Sequence, residues 1–135
     1  MEKILVGMES KMTSLWGAIH ALNLAKRIHA KISILYVTDP TSEEAPRGSG
    51  EPDIRSHLEK LISDGRLEGI SIDYYLTCGS FKEELIKFIK EKRINLLVID
   101  HPQPERRIGG EAFPELLDEI KLRSECRIEV VHPKK

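Results

Sequence analysis

The chain has 135 residues, of which 40% are apolar and 32% are charged. This length and composition indicate one globular domain, residues 1–135, and exclude a disordered chain. The 21 basic and 22 acidic side chains nearly cancel, so we expect neither nucleic acid nor a membrane surface as a partner. No apolar stretch approaches the length of a membrane span or a signal segment, which predicts a cytoplasmic protein.

The first 37 residues read as strand, helix and strand. Ile4–Met8 is a continuous apolar run, typical of a strand that is buried on both faces. Apolar residues then recur at helical spacing over Leu15–Ile28, and Thr13 or Ser14 is the candidate cap of that helix. A second apolar run, Ile32–Val37, follows. Two buried strands joined by a helix predict a parallel, right-handed crossover.

The middle of the chain contains a predicted loop, a helix and an alternating strand. Asp39–Pro52 is rich in proline, glycine and polar residues, which predicts an exposed loop. Asp53 is the candidate cap of the helix that follows. Ile70–Cys78 alternates apolar and polar residues, which predicts a half-exposed strand at a sheet edge. Cys78 falls on the apolar side of this strand, so we expect its thiol to be in the core.

The second half of the chain continues the same alternation. Ser80 and Glu83 form a capping-box pattern at the start of a helix. Leu96–Ile99 is the most apolar run, and we place this strand beside the first. A further helix begins near Pro114, and Arg127–Val131 is the fifth strand. Five strands and four helices predict an α/β fold: a Rossmann-like, three-layer, doubly wound parallel sheet with helices on both faces.

The candidate site of such a sheet lies beyond the carboxyl ends of the strands, where the strand order reverses. The residues that fall at this crevice are Gly7, Met8, Glu9, Val37, Asp100, His101, Gly109 and Gly110. The crevice is acidic, because Glu9 and Asp100 bring carboxylates near any bound phosphate. The sequence pairs no histidine with a serine nucleophile, and its histidines and cysteines lack metal-ligand spacing. We therefore expect no catalytic residue and no metal.

Three segments of the chain together resemble the universal stress protein family. Residues 1–37 are similar to the opening of that family, Gly79–Ile99 to its glycine, helix and fourth strand, and Cys126–Val131 to its last strand. The resemblance implies the strand order 3-2-1-4-5 and a homodimer formed through the last strand. An unpaired edge strand also needs a partner or protection. The residues of the expected dimer interface are Arg127, Ile128, Glu129, Val130 and Val131.

The resemblance also bears on ATP, which some members of this family bind and others do not. Glu9 stands where ATP-binding members carry an acidic residue after the first strand. The places of their phosphate-loop glycines are taken by Asp100, Gln103 and Phe113 or Pro114. Glycine at these places lets backbone N–H groups approach a phosphate without an intervening side chain. We therefore expect no cofactor and no ATP binding at sub-millimolar concentration.

The sequence thus favours a stress-response or signalling module that acts as a homodimer through an unknown protein partner rather than as an enzyme. Two alternatives stay open. One is a member of the family that binds ATP or AMP and uses Gly109 and Gly110 in a rearranged phosphate loop. The other is a small metal-dependent α/β hydrolase that uses the acidic crevice.

Overall fold

The computed structural model describes residues 2–9, 15–38, 51–101 and 113–132, with residues 51–55 described by their backbone alone. Within these residues strands and helices alternate. The elements are β1 (Glu2–Glu9), α1 (Trp16–Ile28), β2 (Ala30–Thr38), α2 (Glu51–Leu67), β3 (Ser71–Cys78), α3 (Phe81–Lys92), β4 (Leu96–Asp100), α4 (Phe113–Arg123) and β5 (Arg127–Val131). No helix among the described residues is both long enough and apolar enough to cross a membrane.

The strands of the described residues form one parallel sheet in the order β3-β2-β1-β4-β5. β1 lies between β2 and β4, which confirms that the two most apolar strands are neighbours. The predicted doubly wound α/β fold is confirmed as well. The chain leaves β1 toward β2 on one side and reaches β4 later on the other side, so the strand order reverses at β1 and β4.

The sheet separates two aliphatic cores. On the side of α1 and α2, Ile4 and Val98 belong to one core. On the side of α3 and α4, Leu5 and Ile99 belong to the other. Successive residues of a strand point to opposite faces, so β1 and β4 are buried on both sides. Aliphatic side chains are therefore required along both strands, and polar side chains are confined to the strand ends.

Asn95 aligns three strands at their amino ends. Its side-chain Oδ1 accepts a hydrogen bond from the backbone N–H of Lys3 at 2.8 Å. Its own N–H donates to the Lys3 carbonyl at 2.9 Å, and its carbonyl accepts from the Arg127 N–H at 3.0 Å. This one residue, placed just before β4, thereby sets the register of β1, β4 and β5.

Two predicted helix starts are wrong. The N-cap residue of α1 is Leu15, which makes no side-chain capping bond. The predicted caps, Thr13 and Ser14, lie outside the described residues. α2 begins before its predicted cap, so Pro52 and Asp53 belong to its first turn and not to the loop. Proline is compatible with a first turn, because its missing N–H would have no partner there. The rest of the predicted loop, residues 39–50, lies outside the described residues.

β3 is an edge strand, as its alternation predicts, but the predicted core position of Cys78 is wrong. Ile72 is buried near the start of the strand, whereas Leu76 is 56% exposed. Cys78, at the end of the strand, is exposed. The alternation of apolar and polar residues assigns a side chain to a face of the sheet, but it carries no information on whether a helix covers that face.

α3 and α4 are joined by an ion pair that begins at the predicted capping box. The Ser80 hydroxyl accepts a hydrogen bond from the Glu83 N–H at 3.4 Å, which confirms Ser80 as the cap of α3. The Glu83 carboxylate accepts two hydrogen bonds from Arg123, at 2.8 and 3.0 Å. These bonds to the Arg123 guanidinium lower the pKa of Glu83.

We expect the Arg123→Gln substitution to return the pKa of Glu83 toward its ordinary value of 4.5. Because the folded-state pKa is lowered, the pair stabilises the fold above the ordinary value and loses this effect as the pH falls through the lowered pKa. An NMR titration of the Glu83 carboxylate in both proteins measures the shift. A carboxylate that titrates at 4.5 in the unsubstituted protein would contradict the prediction.

Candidate functional site

The predicted crevice residues that the structure describes lie together at the carboxyl edge of the sheet. They are Gly7, Met8 and Glu9 of β1, Val37 of β2, Asp100 of β4 and His101, which follows β4. Gly109 and Gly110 lie outside the described residues. The sequence therefore predicted that these residues lie at one edge, but their side chains divide between the two faces of the sheet.

The two carboxylates of the crevice lie on opposite faces. Glu9, 4% exposed, is in register with Val37, which belongs to the core beneath α3 and α4. Asp100, 6% exposed, points to the side of α1. Both groups are withdrawn from solvent, and Asp100 stands where the family resemblance places a phosphate-loop glycine.

Asp100 packs against the first turn of α1. One of its carboxylate oxygens, Oδ1, lies 2.8 Å from the position that a Cβ atom on Gly17 would occupy. A side chain at position 17 would therefore require the Asp100 carboxylate to shift. α1 has no acidic residue in its first turn and no side-chain cap, so Asp100 supplies, from the sheet, the negative charge that favours a helix N-terminus.

Gly7 has a packing role in the structure. A Cβ atom on Gly7 would lie 2.8 Å from a methyl carbon of Leu85 and 3.5 Å from the ring of Phe81. The glycine therefore lets α3 approach β1 closely. This contact accounts for Gly7 without any ligand.

His101 belongs to a cluster of three rings on the side of α4. Its ring stacks on that of His132, with centroids 4.7 Å apart, and meets the ring of Phe113 edge-on at 5.0 Å. Its backbone N–H donates to the Val131 carbonyl at 2.8 Å, which continues the ladder between β4 and β5. His101 therefore packs between the end of β5 and the start of α4.

The described residues contain no group of three or more histidine, cysteine, aspartate or glutamate side chains placed to hold a metal ion. The crevice contributes two carboxylates that face away from each other, and a divalent ion requires ligands that converge on one point. The metal-dependent alternative therefore has no support in the geometry of the described part of the chain.

β5 lies at the edge of the sheet and pairs only with β4 among the described residues. Arg127 forms an ion pair with Glu2, and the Glu129 carboxylate lies 2.7 Å from the His20 ring nitrogen on α1. These two polar side chains of β5 are thus engaged within their own subunit. The backbone edge of β5 is left for a partner strand, and the predicted homodimer stays a prediction.

A comparison with protein-family models matches residues 1–132 to the universal stress protein family. This chain is a universal stress protein. The match spans the whole described structure, so the resemblance carried by three segments of the sequence is confirmed and the domain is a stress-response domain of this family. No protein with a curated function matches the chain.

Solved structures of other universal stress proteins have the same fold. One, crystallised in complex with cAMP, has a TM-score of 0.68 at 21% identity, over 98% of both chains. UspA of Lactobacillus plantarum has a TM-score of 0.62 at 19% identity, over 96% of this chain and 97% of its own. A family protein of Arabidopsis thaliana with AMP bound has a TM-score of 0.63 at 15% identity, over 99% and 93%.

Sequence reasoning about this universal stress protein missed Gly17 and His132. Gly17 lies in the first turn of α1, and glycine is unfavourable in a helix. A glycine at such a position could have indicated that another group approaches the helix closely. His132 gave no signal at all, because its stacking on His101 depends on β5 lying beside β4.

We expect Gly17→Ala to destabilise the protein by about 1–3 kcal/mol, because the new methyl group overlaps the buried Asp100 carboxylate. In an Asp100→Gly background the same substitution should be neutral or stabilising, since alanine is favoured over glycine in a helix by about 1 kcal/mol. Urea unfolding of the four proteins of this cycle gives the coupling free energy. Equal costs in the two backgrounds would contradict the contact.

Proposed function

We propose that this universal stress protein is a homodimeric signalling module that acts through protein contacts and does not hold ATP in its crevice. The observation that carries the proposal is the position of Asp100. Its buried carboxylate lies on the first turn of α1 at the end of β4, where the resemblance places a phosphate-loop glycine.

The energetic argument concerns negative charge in a place with little water. A triphosphate at this edge would lie close to the carboxylate of Asp100, which is almost fully withdrawn from solvent. Bringing like charges together there is unfavourable unless a cation or a proton intervenes. The first turn of α1, which would otherwise favour an anionic ligand, is occupied by Asp100.

A second candidate function is the binding of a nucleoside monophosphate. Structures of family members with cAMP, AMP and dAMP support it, because a monophosphate brings less negative charge to the edge than a triphosphate does. In this mode the buried Val37 side chain at the end of β2 would lie on the nucleoside side of the crevice.

Calorimetric titration with ATP, AMP and cAMP, each with and without Mg²⁺, separates the two candidates. We expect no measurable heat from ATP up to several hundred micromolar, because its phosphates would meet the buried Asp100 carboxylate. A family member known to bind its nucleotide, titrated in the same buffer, is the positive control.

Micromolar affinity for ATP would overturn the proposal. Micromolar affinity for AMP or cAMP without affinity for ATP would replace it by the second candidate. The Asp100→Asn variant tests the cause, because it removes the charge and keeps the shape of the side chain. Binding that appears only in this variant would assign the exclusion to the Asp100 carboxylate.

The dimer part of the proposal rests on the backbone of β5. The Arg127 N–H donates to β4, and the Val131 carbonyl accepts from His101 after β4. The backbone groups of alternate residues point to opposite sides of a strand, so those of Ile128 and Val130 face the open edge. Pairing of two copies of β5 around a two-fold axis would satisfy these groups and join the two sheets.

We expect Val130→Pro to convert the dimer to a folded monomer. The substitution removes an N–H that faces the open edge and leaves the ladder to β4 intact. Light scattering at tens of micromolar measures the mass, and circular dichroism measures the fold.

Glu129→Pro is the matched comparison, because the N–H of Glu129 faces β4 instead. We expect this variant to lose stability rather than to change only its assembly. The dimer is excluded if the unsubstituted protein is already monomeric at tens of micromolar. Pairing through β5 is excluded if Val130→Pro remains a dimer.

A further inference from the structure

A cavity of about 310 Å³ lies at the opposite edge of the sheet from the crevice. It is formed by the amino ends of β1, β2 and β3 and by the end of α3. Its lining residues are Lys3, Lys31, Ser33, Asp73, Tyr75, Glu91, Lys92, Arg93 and Ile94. The volume is sufficient for a small metabolite.

Ser33 is the first observation that points to a ligand. It lies in β2 between Ile32 and Ile34, which are both fully buried, and is itself only 7% exposed. Its hydroxyl makes no side-chain hydrogen bond within the described part of the chain and lines the cavity. This hydroxyl is therefore available to donate a hydrogen bond to a ligand in the cavity.

The charges of the lining are the second observation. Four cations and two carboxylates line the cavity, which leaves an excess of two positive charges. Lys31 and Asp73 form an ion pair with Nζ and Oδ2 3.0 Å apart, so the excess comes from the other lining residues. The guanidinium of Arg93 makes no ion pair with any described residue.

Stabilisation of the end of α3 accounts for part of this cluster. Lysine and arginine are favoured at a helix C-terminus, and Lys3 Nζ donates to the Lys92 carbonyl at 3.2 Å. The left-handed Arg93 closes the helix with its backbone N–H on the Ile89 carbonyl. This explanation requires neither the guanidinium of Arg93 beside the cavity nor the Ser33 hydroxyl in its lining.

Tyr75 gives the cavity an aromatic wall. Its ring meets Phe88 edge-on at 5.0 Å, which fixes its orientation, and Lys92 Nζ lies 5.8 Å from the ring centroid. Because the Lys92 ammonium group lies over the ring, the aromatic group and the positive charge form one wall of the cavity. This combination suits a ligand that carries an anionic group next to a ring.

We propose that this amino-edge cavity binds a small organic anion, with its phosphate or carboxylate held by Arg93, Lys92 and the Ser33 hydroxyl and its ring against Tyr75. The cavity is separate from the carboxyl-edge crevice. A negative result here therefore leaves the proposed function unchanged.

The test uses phenyl phosphate and benzoate as probes, with benzyl alcohol as a neutral probe of the same ring size, in ¹⁵N NMR titrations of the full chain. We expect the two anions to shift the amide signals of Ser33, Arg93 and Ile94 saturably below about 5 mM, the weak affinity typical of a fragment of this size. Whichever of phenyl phosphate and benzoate binds with the higher affinity identifies the preferred anionic group.

Variants assign the binding to the cavity. We expect Arg93→Asn, which tolerates the left-handed backbone, and Lys92→Gln to weaken the anion at least fivefold. Ser33→Ala should weaken it about threefold. Lys121 is an exposed residue of α4 that does not line the cavity. Lys121→Gln removes the same charge and should leave the affinity unchanged.

Three results would overturn the proposal. One is the absence of saturable shifts at the cavity with either anion. Another is equal binding of benzyl alcohol, which would make the site merely apolar. The last is an equal loss of affinity in Lys121→Gln, which would mean diffuse attraction to basic side chains.

Discussion

Burial of β1 and β4 on both faces decides where polar chemistry lies in this domain. From Ile4 to Met8, and along β4 up to Ile99, the sheet is covered by helices on both sides. A polar group in that region would lose its water without gaining a partner. Polar side chains are therefore displaced to the two ends of the same strands. Glu9 and Asp100 lie at the carboxyl end, and Lys3 and Asn95 lie at the amino end.

The charges at the two edges follow from the direction of the helices. In a doubly wound parallel sheet the helices run antiparallel to the strands, so their N-termini gather at the carboxyl edge and their C-termini at the amino edge. The helix dipole favours negative charge at the first edge and positive charge at the second. Asp100 at the start of α1 and Lys92 with Arg93 at the end of α3 both follow this rule. At the carboxyl edge Asp100 lies against Gly17, whereas the amino edge has a cavity beside Ser33.

The sequence was sufficient for the elements, because continuous apolar runs and helical spacing are local signals that the sheet only reinforces. The order of the strands came with the family resemblance. It was insufficient wherever a side chain depends on a distant element. Cys78 follows the alternation of its strand, yet its side chain is exposed. The capping pattern of Ser80 and Glu83 is local, whereas the Glu83 carboxylate binds Arg123 on another helix. The sequence predicted that Asp100 would oppose a bound phosphate. Its contact with Gly17 could not be predicted, because that contact depends on how α1 packs over β4. Ser33 is a single serine in an apolar run, and its position in the lining of a cavity could not be predicted from the sequence.

The pairing of Asp100 with Gly17 is close to neutral in stability, which limits what can explain it. Glycine inside a helix costs about 1 kcal/mol relative to alanine, and a carboxylate at a helix N-terminus contributes about 0.3–1 kcal/mol, or up to about 2 when partly buried. These opposing contributions are of similar size. A small aliphatic residue at the end of β4 with alanine in α1 would avoid both the glycine and the buried charge. Stability alone therefore gives little reason for the pair, and the proposed exclusion of a phosphate from this edge would supply one.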